Sequence, residues 1–160
     1  MGHWERRAKA RTFFRASLNA AGDQRGAAAV EFALVLPMLL FVLFGIIQFG
    51  LTLNNYLELT DGVRAGAREF AISRSSTTPY SSSKSAVTNS AANLTATSIT
   101  ITMRVNGTAC ATDAACVTAL STASGGAALV TATYPCNLRV LWVDFASGCT
   151  LSSQTTELIE

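Results

Sequence analysis

At 160 residues, with 49% hydrophobic and only 14% charged positions, the chain is too apolar to be disordered and too short for several large domains, so one compact domain plus an anchor fits. Its net charge of +2 conceals an asymmetry: residues 1–26 carry Arg6, Arg7, Lys9, Arg11, Arg15 and Arg25 against Glu5 and Asp23, while acidic residues outnumber basic ones from Ala27 onward. The overall basicity is therefore no signature of nucleic-acid binding, and no nucleic-acid partner is expected.

The basic leader, residues 1–26, is followed by a run of 26 residues without a formal charge, Phe32 to Leu57, whose core up to Phe49 is apolar apart from Gln48. About 20 helical residues cover the roughly 30 Å hydrocarbon core of a bilayer, so a single span over residues 30–53 is predicted, with the lipid bilayer as a partner. A secretory signal peptide has a shorter apolar stretch ending at a small-residue cleavage site, and no such site interrupts Phe41 to Phe49. Lys and Arg on the N-terminal flank place that side in the cytoplasm and the C-terminal domain on the far side. Pro37 removes a backbone hydrogen bond and is expected to loosen the helix around Ala33–Pro37.

Helical spacing continues past the span at Leu53, Leu57, Thr60, Val63, Ala67, Phe70 and Ala71, which predicts one long helix over residues 27–72. Its last turns are amphipathic, with Glu58, Asp61, Arg64, Arg68 and Glu69 expected to face water. Gly62 and Gly66 form a small-xxx-small pair that would permit close helix contact or simply reflect a tolerant surface.

Residues 73–160 form the predicted head domain. The first part, residues 73–98, contains 14 Ser or Thr and reads first as a linker, although Thr78 and Pro79 can start a short helix with Ala86, Val87, Ala91 and Leu94 on one side. Ile99, Ile101, Met103 and Val105 then alternate with polar residues, giving a half-buried strand that ends at the turn pair Asn106 and Gly107. Asp113 reads as the N-cap of a short helix through Leu120, and Gly125 and Gly126 as a turn. Further strands are expected at Leu129–Tyr134 and Thr150–Leu158, with Leu138–Phe145 as an additional strand or a packed loop. The fold class is α+β: a long N-terminal transmembrane helix running into a small head with a three- or four-stranded antiparallel sheet.

All four cysteines, Cys110, Cys116, Cys136 and Cys149, follow the span, and an even count there suggests disulfides in an oxidising compartment such as a bacterial periplasm. Of the three pairings, short separation favours Cys110 with Cys116 and Cys136 with Cys149. No metal site is expected, because there is no CxxC and the single histidine, His3, lies on the other side of the span. Nor is a cofactor or a catalytic site expected: Asp113, Asp144 and Glu157 have no recognisable catalytic spacing, and no nucleophile is placed beside a base.

The informative constellation is Gly26, Ala27, Ala28, Ala29, Val30, Glu31 and Phe32, set between the basic leader and the apolar helix. Glu31 is costly to bury and lies one turn from the amine that a cut after Gly26 would create on Ala27. This arrangement resembles the processing site of type IV prepilins, which a membrane aspartyl peptidase cuts after the glycine to leave glutamate at the fifth mature position. The longer stretch RGAAAVEFALVLPMLLFVLFGIIQFG, then DGVRAGAREFA, and the ending from LVTATYP to TLSSQTTELIE resemble the TadE-like family, small pilin-like proteins of tight-adherence (Tad, or Flp) pilus systems. The resemblance implies a minor pilin or pseudopilin that supports pilus assembly at the bacterial inner membrane and is not an enzyme. Its implied partners are a prepilin peptidase, other pilins or pseudopilins, and inner-membrane assembly proteins. Gly26 and Ala27 would then be processing residues and Glu31 an assembly residue. An uncleaved, membrane-anchored periplasmic scaffold or adhesion module is the alternative, because the related TadG-like proteins share the membrane signature without necessarily being processed.

Overall fold

The computed structural model describes residues 24–136, 138–140 and 143–160, so most of the basic leader lies outside the described residues. A single helix, α1 (Gln24–Ile72), carries the whole apolar run and stays helical through Pro37. The chain divides within α1 into one unit ending at Val42 and a second running from Leu43 to the C-terminus. In the first unit the described residues are helix alone, with the large apolar side chains of Val30, Phe32, Leu34 and Met38 all exposed.

In the second unit, the last turns of α1 become one wall of the head. Leu59, Val63, Ala67, Phe70 and Ala71 recur at the three- and four-residue spacing that keeps side chains on one helix face, and all are buried. The expected stripe is thus displaced at its start: Leu53 and Leu57 remain exposed, and Leu59 opens the buried face. A short 3-10 turn at Ser73–Ser75 leads to α2 (Pro79–Ser90), which starts with proline in its first turn, where the missing N–H costs no hydrogen bond. The Ser/Thr-rich stretch therefore contains a helix rather than acting only as a linker.

Helix α2 runs back along α1. Ser83 Oγ donates to the Gly66 carbonyl at 2.8 Å, Val87 and Ala91 press on Gly62, and beyond the helix Asn93 Nδ2 donates to Glu58 Oε1 at 2.6 Å. The small-xxx-small pair is explained by this contact. A Cβ on Gly66 would lie 2.2 Å from Val87 Cγ2, and one on Gly62 would lie 2.8 Å from the Val87 carbonyl oxygen.

Four strands, β1 (Thr100–Val105), β2 (Thr108–Cys110), β3 (Ala127–Pro135) and β6 (Thr150–Leu158), form an antiparallel sheet in the order β2-β1-β3-β6. Between β3 and β6, β4 (Arg139–Val140) and β5 (Val143–Asp144) pair only with each other. The segment Leu138–Phe145, expected as an additional strand or a packed loop, thus contains two short strands paired apart from the main sheet, and residues 141 and 142 fall outside the described set. The fourth strand of the main sheet is β2, which is too short to show a periodicity in sequence.

The alternation in β1 is reproduced: Ile101, Met103 and Val105 are buried, whereas Thr100, Thr102 and Arg104 are exposed. Register sets Ile101 against Ala132 and Met103 against Val130, so two strands build one apolar face toward the helices. Asn106 and Gly107 both have positive φ, 48° and 83°, as a two-residue hairpin turn following the strand twist requires. Asn106 also fastens this hairpin to β3 by accepting from Ala127 N–H at 2.8 Å and donating its own N–H to the Ala127 carbonyl at 2.9 Å.

Helix α3 (Asp113–Ser121) corrects one expectation: its N-cap is Thr112, whose hydroxyl accepts from Ala115 N–H at 3.3 Å. Asp113 is the first helical residue, where a carboxylate faces the positive end of the helix, and its oxygens are turned to α2 instead. After β6 the chain closes on α1, with Glu160 N–H donating to the Ala71 carbonyl at 3.3 Å. Disulfides join Cys110 to Cys116, linking β2 to α3, and Cys136 to Cys149, closing the loop that contains β4 and β5.

Candidate functional site

The residues that chemistry singles out at the head of α1 all lie in helical backbone. Gly26, Ala27 and Glu31 are exposed, and Ala27 and Glu31 are four residues apart, which puts them on one helix face. A Cβ at Gly26 would meet nothing within 4 Å, so no packing within the chain requires glycine there. Glu31 makes no hydrogen bond or ion pair with another described residue. In the chain as it stands Ala27 contributes an amide nitrogen, which carries no positive charge to set against Glu31.

From Phe32 on, α1 is long and apolar enough to cross a membrane, and its most apolar stretch has no residue buried by the rest of the chain. Leu34 is 76% exposed and Ile46 67% exposed. Such a surface would be untenable in water, because contiguous apolar patches far smaller than this drive association. Backbone groups are satisfied inside the helix, which is the condition for crossing hydrocarbon. Polar side chains follow the same rule: Thr52 Oγ1 donates to the Gln48 carbonyl at 3.0 Å.

Where the uncharged run ends, Glu58 departs from the expectation that it simply faces water. It is half-buried, with Oε1 accepting from Asn54 and Asn93 and Oε2 shielded without a hydrogen-bond partner among the described residues. It ties the chain after α2 to α1 directly above the apolar segment. No periodicity reveals this tie, because Glu58 and Asn93 are 35 residues apart.

The other carboxylates of interest have structural employment. Asp113 accepts from Ser81 Oγ at 2.6 Å and from Ser81 N–H at 2.9 Å, joining α3 to α2, and these bonds, the hydroxyl's first, hold its carboxyl below the ordinary value. Asp144 accepts from Ala146 N–H at 3.2 Å, and Glu157 is exposed on β6. The structure does not bring these three together. Among the described residues no group of three or more His, Cys, Asp or Glu side chains is arranged to hold a metal ion, and all four cysteines are in disulfides.

Comparison with known proteins bears on this same helix. Residues 26–68 match the family model of TadE-like proteins, the family that the sequence resembles. The matched stretch runs from the glycine before Ala27, through the whole uncharged segment, to the turns of α1 on which the head is packed. It suggests a pilin-like protein associated with a Tad pilus. No curated protein and no solved structure matches the chain.

Proposed function

We propose that the chain is a minor pilin or pseudopilin supporting assembly of a Tad pilus at the bacterial inner membrane. The reading is carried by one observation: the family match covers Gly26 to Glu31 and the exposed apolar helix as a single unit. In this reading residues 1–26 are a cytoplasmic leader, α1 crosses the inner membrane over residues 30–53, and residues 73–160 are a periplasmic head. Lys and Arg before the span set that orientation, and two disulfides suit an oxidising compartment.

A prepilin peptidase cuts after Gly26 and frees the amine of Ala27. Glu31 then meets that amine, in its own chain or in a neighbouring pilin, where the low dielectric at the hydrocarbon edge strengthens the attraction between them. The carboxylate opposes insertion, since an acidic residue at a bilayer centre costs about 2.5 to 3.5 kcal/mol and less near the interface. Membrane anchoring therefore gains nothing from Glu31, and its role lies in assembly.

The experiment replaces the native copy with Glu31→Gln and Glu31→Ala and measures piliation, membrane abundance and the intact mass of the membrane-extracted protein. Expected are a mature chain beginning at Ala27, normal membrane abundance of both variants and reduced pilus formation. Retention of residues 1–26 in cells with an active peptidase, with normal piliation in both variants, would replace this reading by the uncleaved scaffold.

A further inference from the structure

Outside α1, the described residues expose only three large apolar side chains: Val143, Phe145 and Leu158. Leu158 stands alone near the end of β6, an ordinary solitary surface residue. Val143 and Phe145 are different. They belong to a segment, residues 138–145, whose sequence LRVLWVDF is mostly large apolar residues, and neither of the two joins the buried core cluster.

The segment is fastened at its base. The Cys136–Cys149 disulfide closes its base, Cys136 N–H donates to the Cys149 carbonyl at 3.1 Å, and Phe145 N–H donates to the Leu138 carbonyl at 2.9 Å. Val140 pairs with Val143 and Arg139 with Asp144, so the only two charged residues of the loop are opposite in sign and in register. Desolvating the loop therefore strands no net charge.

Contacts within the second unit say which end of the head carries this loop. Ser83 on Gly66, Val87 on Gly62 and Asn93 on Glu58 order α2 and the chain after it toward the end of the uncharged run. Strand β1 begins just after, at Thr100, and its register partner on β3 is Thr133, which in turn pairs with Ser152 of β6. The opposite end of the sheet closes on the last turn of α1 through Glu160 and Ala71. Strands β3 and β6 therefore deliver the loop, between Pro135 and Thr150, at the end of the head nearest Leu57.

We propose that this disulfide-closed hairpin is a second, interfacial membrane contact, in which Val143 and Phe145 enter the headgroup and upper acyl region of the bilayer crossed by α1. The proposal rests on the reading of Phe32–Leu57 as a span. The lipid surface is the occupant that the geometry favours: the hairpin is apolar, carries no net charge and hangs from the end of the head next to the apolar helix. With the transmembrane anchor it supplies a second restraint that fixes the tilt of the head, as interfacial apolar side chains fix membrane-bound segments.

The test uses the full chain reconstituted in vesicles of phosphatidylethanolamine and phosphatidylglycerol. An environment-sensitive fluorophore is placed on Val143→Cys, with Ile47→Cys in the apolar run and Gln154→Cys on the exposed sheet face as references. Native disulfides are checked by peptide mapping in every variant. Lipids quenching at shallow acyl depth should quench position 143 several-fold more than position 154, with a blue-shifted emission, while position 47 responds to deep quenchers. Phe145→Ser should reduce the shallow quenching at 143 several-fold. Overturning results are a position 143 as unquenched as 154 while 47 is quenched, or protection of 143 only when other native membrane proteins are added, which assigns the hairpin to a protein partner. An unquenched position 47 would instead sink the span itself.

Discussion

Phe49 and Phe70 lie on the same helix about six turns apart, yet the first is 59% exposed and the second fully buried. Both rings are equally apolar, so side-chain hydrophobicity alone does not separate them. The difference lies in what the chain offers as a neighbour. From Leu59 onward the helix alternates bulky and small residues, Val63 and Phe70 with Gly62, Gly66 and Ala67, and α2 and the sheet of the head are built to meet them. Before Leu57 the described residues bury no such stripe of the helix, and its exposed apolar surface calls for lipid or neighbouring helices.

The largest effect that would break this comparison comes from truncating one phenylalanine in each half. Phe70→Ala removes a fully buried ring and should destabilise the head by about 3 to 5 kcal/mol. Phe49→Ala should leave head stability unchanged. Denaturant unfolding of the full chain in detergent micelles, followed through the sheet signal, measures both, and equal losses would mean that the helix is one cooperative body with the head.

Next in size are the crosslinks, which restrain the head alone. Closing the 13-residue separation between Cys136 and Cys149 should contribute about 3 kcal/mol by loop entropy, and closing the six-residue separation between Cys110 and Cys116 about 2 kcal/mol. Paired Cys→Ser substitutions in the same assay test this order, and non-reducing peptide mapping of exported protein should recover both pairs. Four free thiols in that material would contradict the prediction.

A smaller but sharper contrast concerns glycine. Gly66→Ala drives a methyl group into Val87, a stiff β-branched side chain that is itself fully buried, and should cost about 1 to 3 kcal/mol. Gly45→Ala meets nothing within 4 Å and should leave the head as stable as before. The same assay reads both, and a silent Gly66→Ala would show that α2 is packed more loosely on α1 than the distances imply.

Much of this architecture was legible in the sequence because period reports burial. The uncharged run, the alternation from Ile99 to Val105, the Asn106–Gly107 turn and the strand at Thr150–Leu158 each follow from local chemistry. What escaped depended on partners distant in the chain. Glu58 read as a solvated residue until Asn93 was placed beside it, and Asp113 as a helix cap although its oxygens bind Ser81, 32 residues earlier. Gly62 and Gly66 announced a close contact without saying with what. The hairpin at residues 139–144 is ambiguous in sequence because a short apolar run reads alike as a strand or as a packed loop. At the head of α1, Gly26, Ala27 and Glu31 stand out by spacing alone, and the cut and the neighbouring subunits that would give them a role belong to the proposed function.

The smallest predicted effect compares two carboxylates. Glu31 has no partner among the described residues, whereas Asp113 is held by the hydroxyl and the backbone N–H of Ser81. Both bonds favour the ionised form, so the folded pKa of Asp113 lies below the ordinary aspartate value. For an acid whose pKa is depressed by folding, the linked stability is fully present above the unfolded pKa and is lost as pH falls through the folded one. Ser81→Ala removes the larger of the two bonds while leaving the carboxylate in place. Its destabilisation of the head should therefore be greatest near neutral pH and shrink as the pH falls below the ordinary carboxylate range, and the Asp113 carboxyl resonance should titrate at a higher pH than in the parent chain. The exposure of this pair to water makes the effect modest, which is why the titration is the more decisive measurement. An unchanged Asp113 titration in Ser81→Ala would show that the α2–α3 tie is not what holds this carboxyl down.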